Sequence, residues 1–379
     1  MSKRKIIAPL ISLLLICAVI TPVLAYSSFP LTTDDQEIQD ALGYLRSIQA
    51  ADGSIGSYSD SAWAVMAIAA AGEDPKDWGF PSVVDYLKGN ADLLSGEFNM
   101  GTAYGRVILA ILASGKDPST FGIGDPTYAP SGDYISQLRD LHDGTQFTDG
   151  FGNTDMLNDD FWGIMALVAA DESQDTSLIT ASVAFVKDNQ AEDGGWSWAT
   201  VDNPWYTGSD VDSTAAAIMA LIAAGEHPQS TLIGDALGYL KDNQNISGGF
   251  VSWGAVSLAS TIQAVDAIVA ARQDPTSDDW KPGADTPIDF ILSMQETEGS
   301  FFDPGSWSPM REKNTSEAII ALMGKHYPVK YTPTYIYGVG GEAYPVSRSA
   351  ILIPWLVLGI AAIAVIIIAS RRYITHRKI

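Results

Sequence analysis

The apolar residues of this chain recur at helical spacing in one segment after another. Leu42, Leu45 and Ile48, for example, lie three residues apart and so share one face of a helix. Such segments alternate between two kinds. One kind carries Lys, Arg and Asp along one side, as a helix that faces water does; the other is Ala-rich and apolar nearly all round, as a buried helix is. The pattern predicts an all-α protein in which outer and inner helices alternate.

Six helix pairs follow from this pattern. The expected outer helices are 35–49, 81–94, 132–141, 178–190, 232–244 and 286–295. The expected inner helices are 59–71, 101–114, 158–170, 211–224, 258–271 and 315–324.

Short motifs repeat along the chain together with the helices. The segment DALGYL occurs at 40–45 and again at 235–240. A turn of the form Gln-x-x-Asp/Glu-Gly occurs at 49–53, 190–194 and 295–299. Internal repetition of this kind indicates a repeat architecture. Six units are enough to close a ring, whereas an open stack would need special capping units. The sequence therefore predicts a closed ring of six helix pairs, an (α/α)6 toroid, over residues 33–325.

The turns resemble the QW repeats of the terpene cyclase and protein prenyltransferase α/α-toroid superfamily, which also contains intrinsic-factor-like carriers. The resemblance covers residues 33–323. It implies that each turn Gln caps the following inner helix and that an aromatic residue stacks on it, so that both are structural. The residues concerned are Gln49, Gln190, Gln244, Gln295, Trp196, Phe250 and Phe301.

Activity is carried over less directly than fold. The one cysteine, Cys17, precedes the body, which excludes a zinc-thiolate site of the prenyltransferase kind, a thioester and disulfides. Type II terpene cyclases protonate their substrate with the middle Asp of an Asp-x-Asp-Asp motif. The segment DVDS at 210–213 is similar, with Ser213 in place of the last Asp. The resemblance makes Asp212 a candidate catalytic acid and Asp210 its partner; capping of the fourth inner helix is the alternative.

Aromatic residues near the inner-helix openings are the other candidates. In a toroid these openings surround one mouth of a central cavity, where aromatic side chains can line a ligand site. Trp beside carboxylates suits a sugar or a cationic ligand, and core packing is the alternative for each residue. The predicted ligand-binding residues are Trp63, Tyr104, Trp162, Trp196, Trp205, Tyr206, Trp253 and Trp307.

No metal site and no cofactor are predicted. The four histidines show no ligand spacing. Acidic residues between 149 and 160 offer the oxygen ligands that calcium takes, but their spacing is not that of an EF-hand. A solvated loop is the favoured interpretation of this segment.

The two ends of the chain predict export and a membrane anchor. Residues 1–25 have the basic start, apolar run and small-residue cleavage site of a signal peptide. Residues 351–370 are apolar over the length of a spanning helix, and the basic residues 371–379 follow, as on a cytoplasmic side. Residues 326–350 are rich in Pro, Tyr and Gly, which predicts a semi-rigid stalk. The body is expected outside the cytoplasm.

The net charge of the chain limits the kinds of partner that it can bind. All 45 carboxylates lie between residues 26 and 350, whereas seven of the 22 Lys and Arg lie outside that range, so this part carries a net charge of −30. Such a charge argues against nucleic acid and anionic lipid as partners. The predicted function is non-catalytic binding of a small molecule or a partner protein at the mouth of the toroid. A terpene cyclase-like enzyme using Asp212 as its acid stays open, as does a glycan-acting enzyme with two carboxylates across the cavity.

Overall fold

The computed structural model describes residues 29–96, 99–122, 132–171, 176–305 and 310–329. The predicted signal peptide, membrane helix and basic tail, and the stalk beyond residue 329, lie outside these residues. In the described part of the chain, no helix has both the length and the apolar character needed to cross a membrane.

The described residues form twelve α-helices, which alternate between an outer and an inner position. The outer helices are α1 (Gln36–Ile48), α3 (Val83–Gly89), α5 (Tyr134–Asp140), α7 (Thr176–Asp188), α9 (Thr231–Asp242) and α11 (Pro287–Ser293). The inner helices are α2 (Tyr58–Ala70), α4 (Met100–Ala113), α6 (Leu157–Ala170), α8 (Val211–Ala223), α10 (Leu258–Ala270) and α12 (Arg311–Leu322). A short antiparallel hairpin, β1 (Phe250–Ser252) and β2 (Ala255–Ser257), precedes α10.

Two helices depart from the predicted bounds by more than two residues. Helix α3 ends at Gly89, and a 3₁₀ segment, Ala91–Gly96, takes the place of its expected last turns. Gly disfavours the helix interior, and Asn90 has left the helical region at φ −134°. Helix α12 begins at Arg311, four residues before the predicted Thr315. The prediction missed its first turn because that turn is polar and shows no apolar periodicity.

The inner helices form a closed ring. Each packs against the next in chain order, and α12 packs against α2. Small residues allow close approach: a Cβ on Gly105 of α4 would lie 2.8 Å from the backbone carbonyl oxygen of Trp162 in α6. The backbone N–H of Leu31 donates to the carbonyl of Leu322 at 2.9 Å, which joins the start of the described chain to its last helix. The predicted ring closure is confirmed.

The resemblance implied that the turn glutamines cap the following inner helix. They do not. The side-chain amide of Gln190 donates to Gly194 O in its own turn (2.8 Å) and to Leu232 O in the next outer helix (3.0 Å). Gln49, Gln244 and Gln295 make the same pair of bonds, to Gly53 and Trp78, to Gly248 and Trp280, and to Gly299 and Glu37. An amide donates two N–H groups at a fixed angle, so each Gln joins one repeat to the next.

Candidate functional site

A shared hydrogen bond sets the register of five inner helices. The backbone N–H of the residue after each turn donates to a side chain in the first turn of the helix that follows. The pairs are Ile55 with Ser61, Phe147 with Asp160, Trp196 with Thr214, Phe250 with Thr261, and Phe301 with Thr315, at 2.9–3.1 Å. Residues at equal distances from this bond therefore occupy equivalent levels of the ring.

Asp210 and Asp212 have different roles in the fold. Asp210 caps α8: its Oδ1 accepts the Ser213 backbone N–H and its Oδ2 accepts the Ser213 hydroxyl, both at 2.8 Å. Burial raises the pKa of Asp210 to about 6. Asp212 is not a cap. Its Oδ2 accepts the hydroxyls of Ser252 and Ser260, each at 3.0 Å, and so connects α8 to the hairpin and to α10.

Three aromatic rings meet inside the ring of inner helices. Trp63 on α2 and Trp162 on α6 lie 5.2 Å apart between centroids in an edge-to-face arrangement. Because α2 and α6 are not neighbours in the ring, this contact lies in the lumen. Tyr327, from the segment after α12, completes the group at 5.4 Å from Trp63 and 5.5 Å from Trp162. Such contacts contribute about 0.5–1.5 kcal/mol each beyond burial. Tyr327 is fully buried, although the sequence pattern assigned it to the stalk.

Two buried carboxylates in the lumen were missed by sequence reasoning. Glu317 on α12 accepts the Lys313 ammonium at 2.6 Å and the Gln263 amide at 2.8 Å. Asp266 on α10 is fully buried, and neither of its oxygens has a hydrogen-bond partner in the described structure. Burial raises its pKa well above the ordinary value, and the charge of Glu317 adds to the effect. The available signal for Asp266 was a carboxylate inside a mostly apolar helix; Glu317 follows the polar first turn of α12, where a charged residue is ordinary.

The comparisons with known proteins agree with this geometry. Residues 133–261 match the family model of the squalene-hopene cyclase C-terminal domain. The type II terpene cyclase MstE from Scytonema superposes with a TM-score of 0.52 at 12% identity, over 78% of this chain and 98% of that chain. The fold is a terpene-cyclase-like α/α toroid. The resemblance inferred from the turns is thereby confirmed.

Proteins of another activity share this toroid. A glycosidase superposes with a TM-score of 0.53 at 12% identity, over 76% of this chain and 95% of that chain. A glycosidase in complex with glucose gives 0.52 at 11% identity over the same shares. No curated protein matches the sequence. At identities this low the likeness establishes the fold alone.

The toroid separates the predicted ligand-binding residues into groups. Trp63 and Trp162 line the lumen, as described above. Tyr104 and Trp196 belong to the core: the Tyr104 hydroxyl bonds to Gln137, and the Trp196 indole N–H donates to Val186 O at 2.7 Å. Tyr206 is partly buried in the loop before α8, and Trp307 lies outside the described residues.

The last group, Trp205 and Trp253, projects into solvent with 76% and 65% of their surface exposed. The sequence did not single out Phe151, which is 70% exposed in the loop before α6. Trp205 precedes α8 and Trp253 precedes α10. Three consecutive repeats therefore present an exposed aromatic side chain at the face where the inner helices begin. We call Phe151, Trp205 and Trp253 the aromatic face.

The carboxylates of the 149–160 segment serve the fold. Asp159 accepts the Thr102 backbone N–H at 2.6 Å and its hydroxyl at 2.8 Å, which joins α6 to α4. Asp160 occupies the position that Ser or Thr holds in the other helices of shared register, and Asp149 Oδ1 accepts the N–H groups of Phe151 and Asn153. Within the described residues, no group of three or more His, Cys, Asp or Glu is placed to hold a metal ion.

Proposed function

We propose that this toroid is a non-catalytic binding protein that takes a glycan at the aromatic face. The observation that carries the proposal is the exposure of Trp205 and Trp253, each held out by its own backbone. Large exposed apolar side chains are costly in a soluble body and indicate a recognition surface when they occur together.

Local structure fixes both tryptophans. The Trp205 backbone N–H donates to Asn203 Oδ1 at 2.8 Å, which forms a turn at the base of the side chain. Trp253 stands at the tip of the β1–β2 hairpin with φ 54°, and Gly254 follows at φ 83°. A bulky residue with positive φ is an outlier that a fold retains at a cost. The hydroxyl of the adjacent Ser252 bonds to Asp212, so the hairpin is anchored to α8.

A glycan fits this face better than a protein or a lipid does. The three side chains come from separate loops with polar residues between them, whereas a protein interface has a continuous apolar core. An indole ring offers a flat apolar surface for the C–H face of a sugar, and neighbouring hydroxyls and carboxylates can accept its O–H groups. The net charge of −30 for residues 26–350 opposes an anionic membrane surface. The fold is also one that glycosidases use.

The proposal includes the location predicted from the chain ends. Residues 1–25 would direct export, residues 351–370 would span the membrane, and residues 371–379 would remain in the cytoplasm. The aromatic face would then meet glycans outside the cell. Protease treatment of intact cells that carry a C-terminal tag checks this arrangement, because the body should be cut while the tag stays protected.

Calorimetry with defined glycans tests the binding function. The purified full chain in detergent is titrated with laminarihexaose, maltohexaose, cellohexaose and mannohexaose. Trp205→Ala and Trp253→Ala should each weaken the bound hexaose at least about ten-fold, because each removes a central aromatic contact. Phe80→Ala is the matched control, since Phe80 is fully exposed in the loop between α2 and α3, on the opposite face. Equal losses in all three variants, or no binding to any hexaose, would reject the proposal.

One observation favours a second candidate, acid-catalysed cyclisation. Asp266 is buried beside Glu317 in the lumen, and burial raises its pKa well above the ordinary value, which favours the protonated form that an acid needs in order to protonate an alkene. The motif-based candidate, Asp212, accepts two hydroxyl hydrogen bonds, the arrangement of an acceptor. Incubation with squalene followed by product analysis separates the two: Asp266→Asn should abolish turnover if Asp266 is the acid, and Asp212→Asn should abolish it if the motif residue is. Tyr327 packs against both Trp63 and Trp162 and so occupies part of the lumen that a cyclisation substrate would need, which favours binding over cyclisation.

A further inference from the structure

Asp266 stands where packing alone would place an apolar residue. It follows the register residue Thr261 by five positions in α10. The equivalent positions of the other four helices of shared register hold Met66, Met165, Met219 and Ile320, all of which are buried. Four of the six inner helices therefore have an apolar side chain at this level. A buried carboxyl without hydrogen bonds destabilises a fold, so its presence indicates a use other than packing.

The polar atoms around Asp266 point to the same conclusion. Burial and the nearby charges of Glu317 and Asp266 raise the pKa of Tyr327 well above its ordinary value. Its hydroxyl, like both oxygens of Asp266, has no hydrogen-bond partner among the described residues. Over nine-tenths of buried polar groups in proteins are paired. Three such atoms in one lumen indicate a site for a molecule that supplies hydrogen-bond donors.

The charged residues in the lumen indicate the charge of that molecule. Lys313 neutralises Glu317 through their contact at 2.6 Å, and its ammonium lies 5.6 Å from the Trp63 ring. The Arg106 guanidinium also lies near Trp63, at 5.9 Å. The Lys313 ammonium forms its ion pair with Glu317, and neither oxygen of Asp266 has a hydrogen-bond partner among the described residues. Asp266 is thus the carboxyl in the lumen with which a cationic ligand would form an ion pair.

Tyr327 shows where the aromatic ring of a ligand would lie. Its phenol lies within 5.5 Å of both Trp63 and Trp162, so the lumen accepts a six-membered aromatic ring edge-to-face with two indoles. We propose that the lumen is a second ligand site, for a small ring-bearing amine, and that the chain's own Tyr327 occupies the place of the ligand's ring. An ammonium in place of the phenol hydroxyl would bring three N–H donors and a positive charge to Asp266. The site is independent of the aromatic face.

Calorimetry with benzylamine and p-cresol tests the site. The two probes have the same ring and differ in charge. The full chain in detergent should bind benzylamine weakly, because Tyr327 competes with it. Tyr327→Ala should bind benzylamine at least about ten-fold more tightly than the wild type does, and about ten-fold more tightly than it binds p-cresol.

Matched variants make the test specific. Adding Asp266→Asn to Tyr327→Ala should remove the preference for benzylamine, while the affinity for p-cresol stays the same. Tyr58→Ala is the control, because Tyr58 is a buried tyrosine in contact with Tyr86 and away from Asp266; its cavity should show no preference for the amine. Equal affinity of Tyr327→Ala for both probes, or an unchanged preference after Asp266→Asn, would overturn the proposal.

A measurement on the wild-type chain tests the proposal if Tyr327→Ala does not fold. Saturating benzylamine should speed hydrogen exchange of the backbone amides at 325–329, because the amine displaces Tyr327 from the lumen. The same concentration of p-cresol should have less effect. Unchanged exchange with benzylamine, together with no heat of binding, would also overturn the proposal.

Discussion

The side-chain amide of Gln295 lies 2.8 Å from the backbone carbonyl oxygen of Glu37, and this hydrogen bond joins the sixth repeat of the toroid to the first. Gln49, Gln190 and Gln244 make equivalent bonds between consecutive repeats. Those bonds span 29 to 42 residues, whereas the one from Gln295 to Glu37 spans 258. The same side-chain device therefore builds the ring and closes it.

Replacing Gln295 by Ala should lower the free energy of unfolding by about 1–3 kcal/mol, because two carbonyl groups lose their donor at a partly buried site. Urea denaturation of the full chain, followed by Trp fluorescence, measures the change. Gln36→Ala is the control, since the Gln36 amide makes only an exposed bond to Asp40 within α1; it should cost at most a few tenths of a kcal/mol. Equal costs for the two variants would show that the closing bond is unimportant.

The fold was predictable because its signals are local and repeated. Apolar periodicity located the inner helices to within two residues except at α12, where Arg311 to Asn314 form a polar first turn. The turn glutamines were correctly expected to be structural. Their partners were not, because Trp78 and Leu232 belong to the next repeat and only the packed ring brings them into reach.

The site was predictable in part. Trp63 and Trp162 were chosen for their position near helix openings, and they do meet in the lumen. Tyr327 could not be placed there, because the closure of the chain into a ring, and not a local sequence pattern, brings it against the two indoles. Asp266 was missed for a different reason: one carboxylate in a helix is ordinary when it faces water, and only the register shared with Met219 shows that it faces inward.

Asp210 predicts a pH dependence of stability opposite to that of most carboxylates. Burial raises its pKa from 3.8 to about 6, so the folded chain keeps a proton that the unfolded chain loses. Its contribution is complete below pH 3.8 and is lost as pH rises to about 6, up to about 3 kcal/mol. Asp210→Asn, which retains a capping side chain, should remove this loss. The measurement is the difference between the wild-type and variant unfolding free energies from pH 4 to pH 7.

A control variant fixes the sign of that effect. The hydrogen bond from Ser119 lowers the pKa of Asp117, so its contribution is present above the unfolded pKa and is lost as pH falls. The difference curve for Asp117→Asn, followed below pH 4, should therefore slope in the other direction. Parallel unfolding curves for wild type and Asp210→Asn would contradict the assigned pKa of Asp210.

The positive φ of Trp253 predicts that a substitution there can raise the stability of the chain and weaken glycan binding at the same time. Its φ of 54°, followed by Gly254 at 83°, matches a two-residue hairpin turn for which Asn-Gly is the preferred sequence. Trp253→Asn should stabilise the chain by about 1 kcal/mol, since Asn adopts the left-handed conformation more readily. The same change should weaken binding of the glycan at the aromatic face. Trp205→Ala, which relieves no positive φ, should weaken binding without raising the melting temperature; a rise in both variants would point to removal of exposed apolar surface instead.

The burial of Asp266 in the lumen predicts a second substitution that should raise stability and abolish ligand binding. Leu has nearly the shape of Asp without its polar atoms, so Asp266→Leu removes a buried carboxyl that lacks partners and leaves the packing almost unchanged. The chain should gain about 1–3 kcal/mol in the free energy of unfolding, measured in urea at pH 7. The mirror change, Met219→Asp, places a carboxyl at the equivalent level of α8 and should cost several kcal/mol. A loss of stability in Asp266→Leu would mean that the carboxyl holds the ring together. A gain would mean that the ring tolerates it, and that the benzylamine site disappears as the fold becomes more stable.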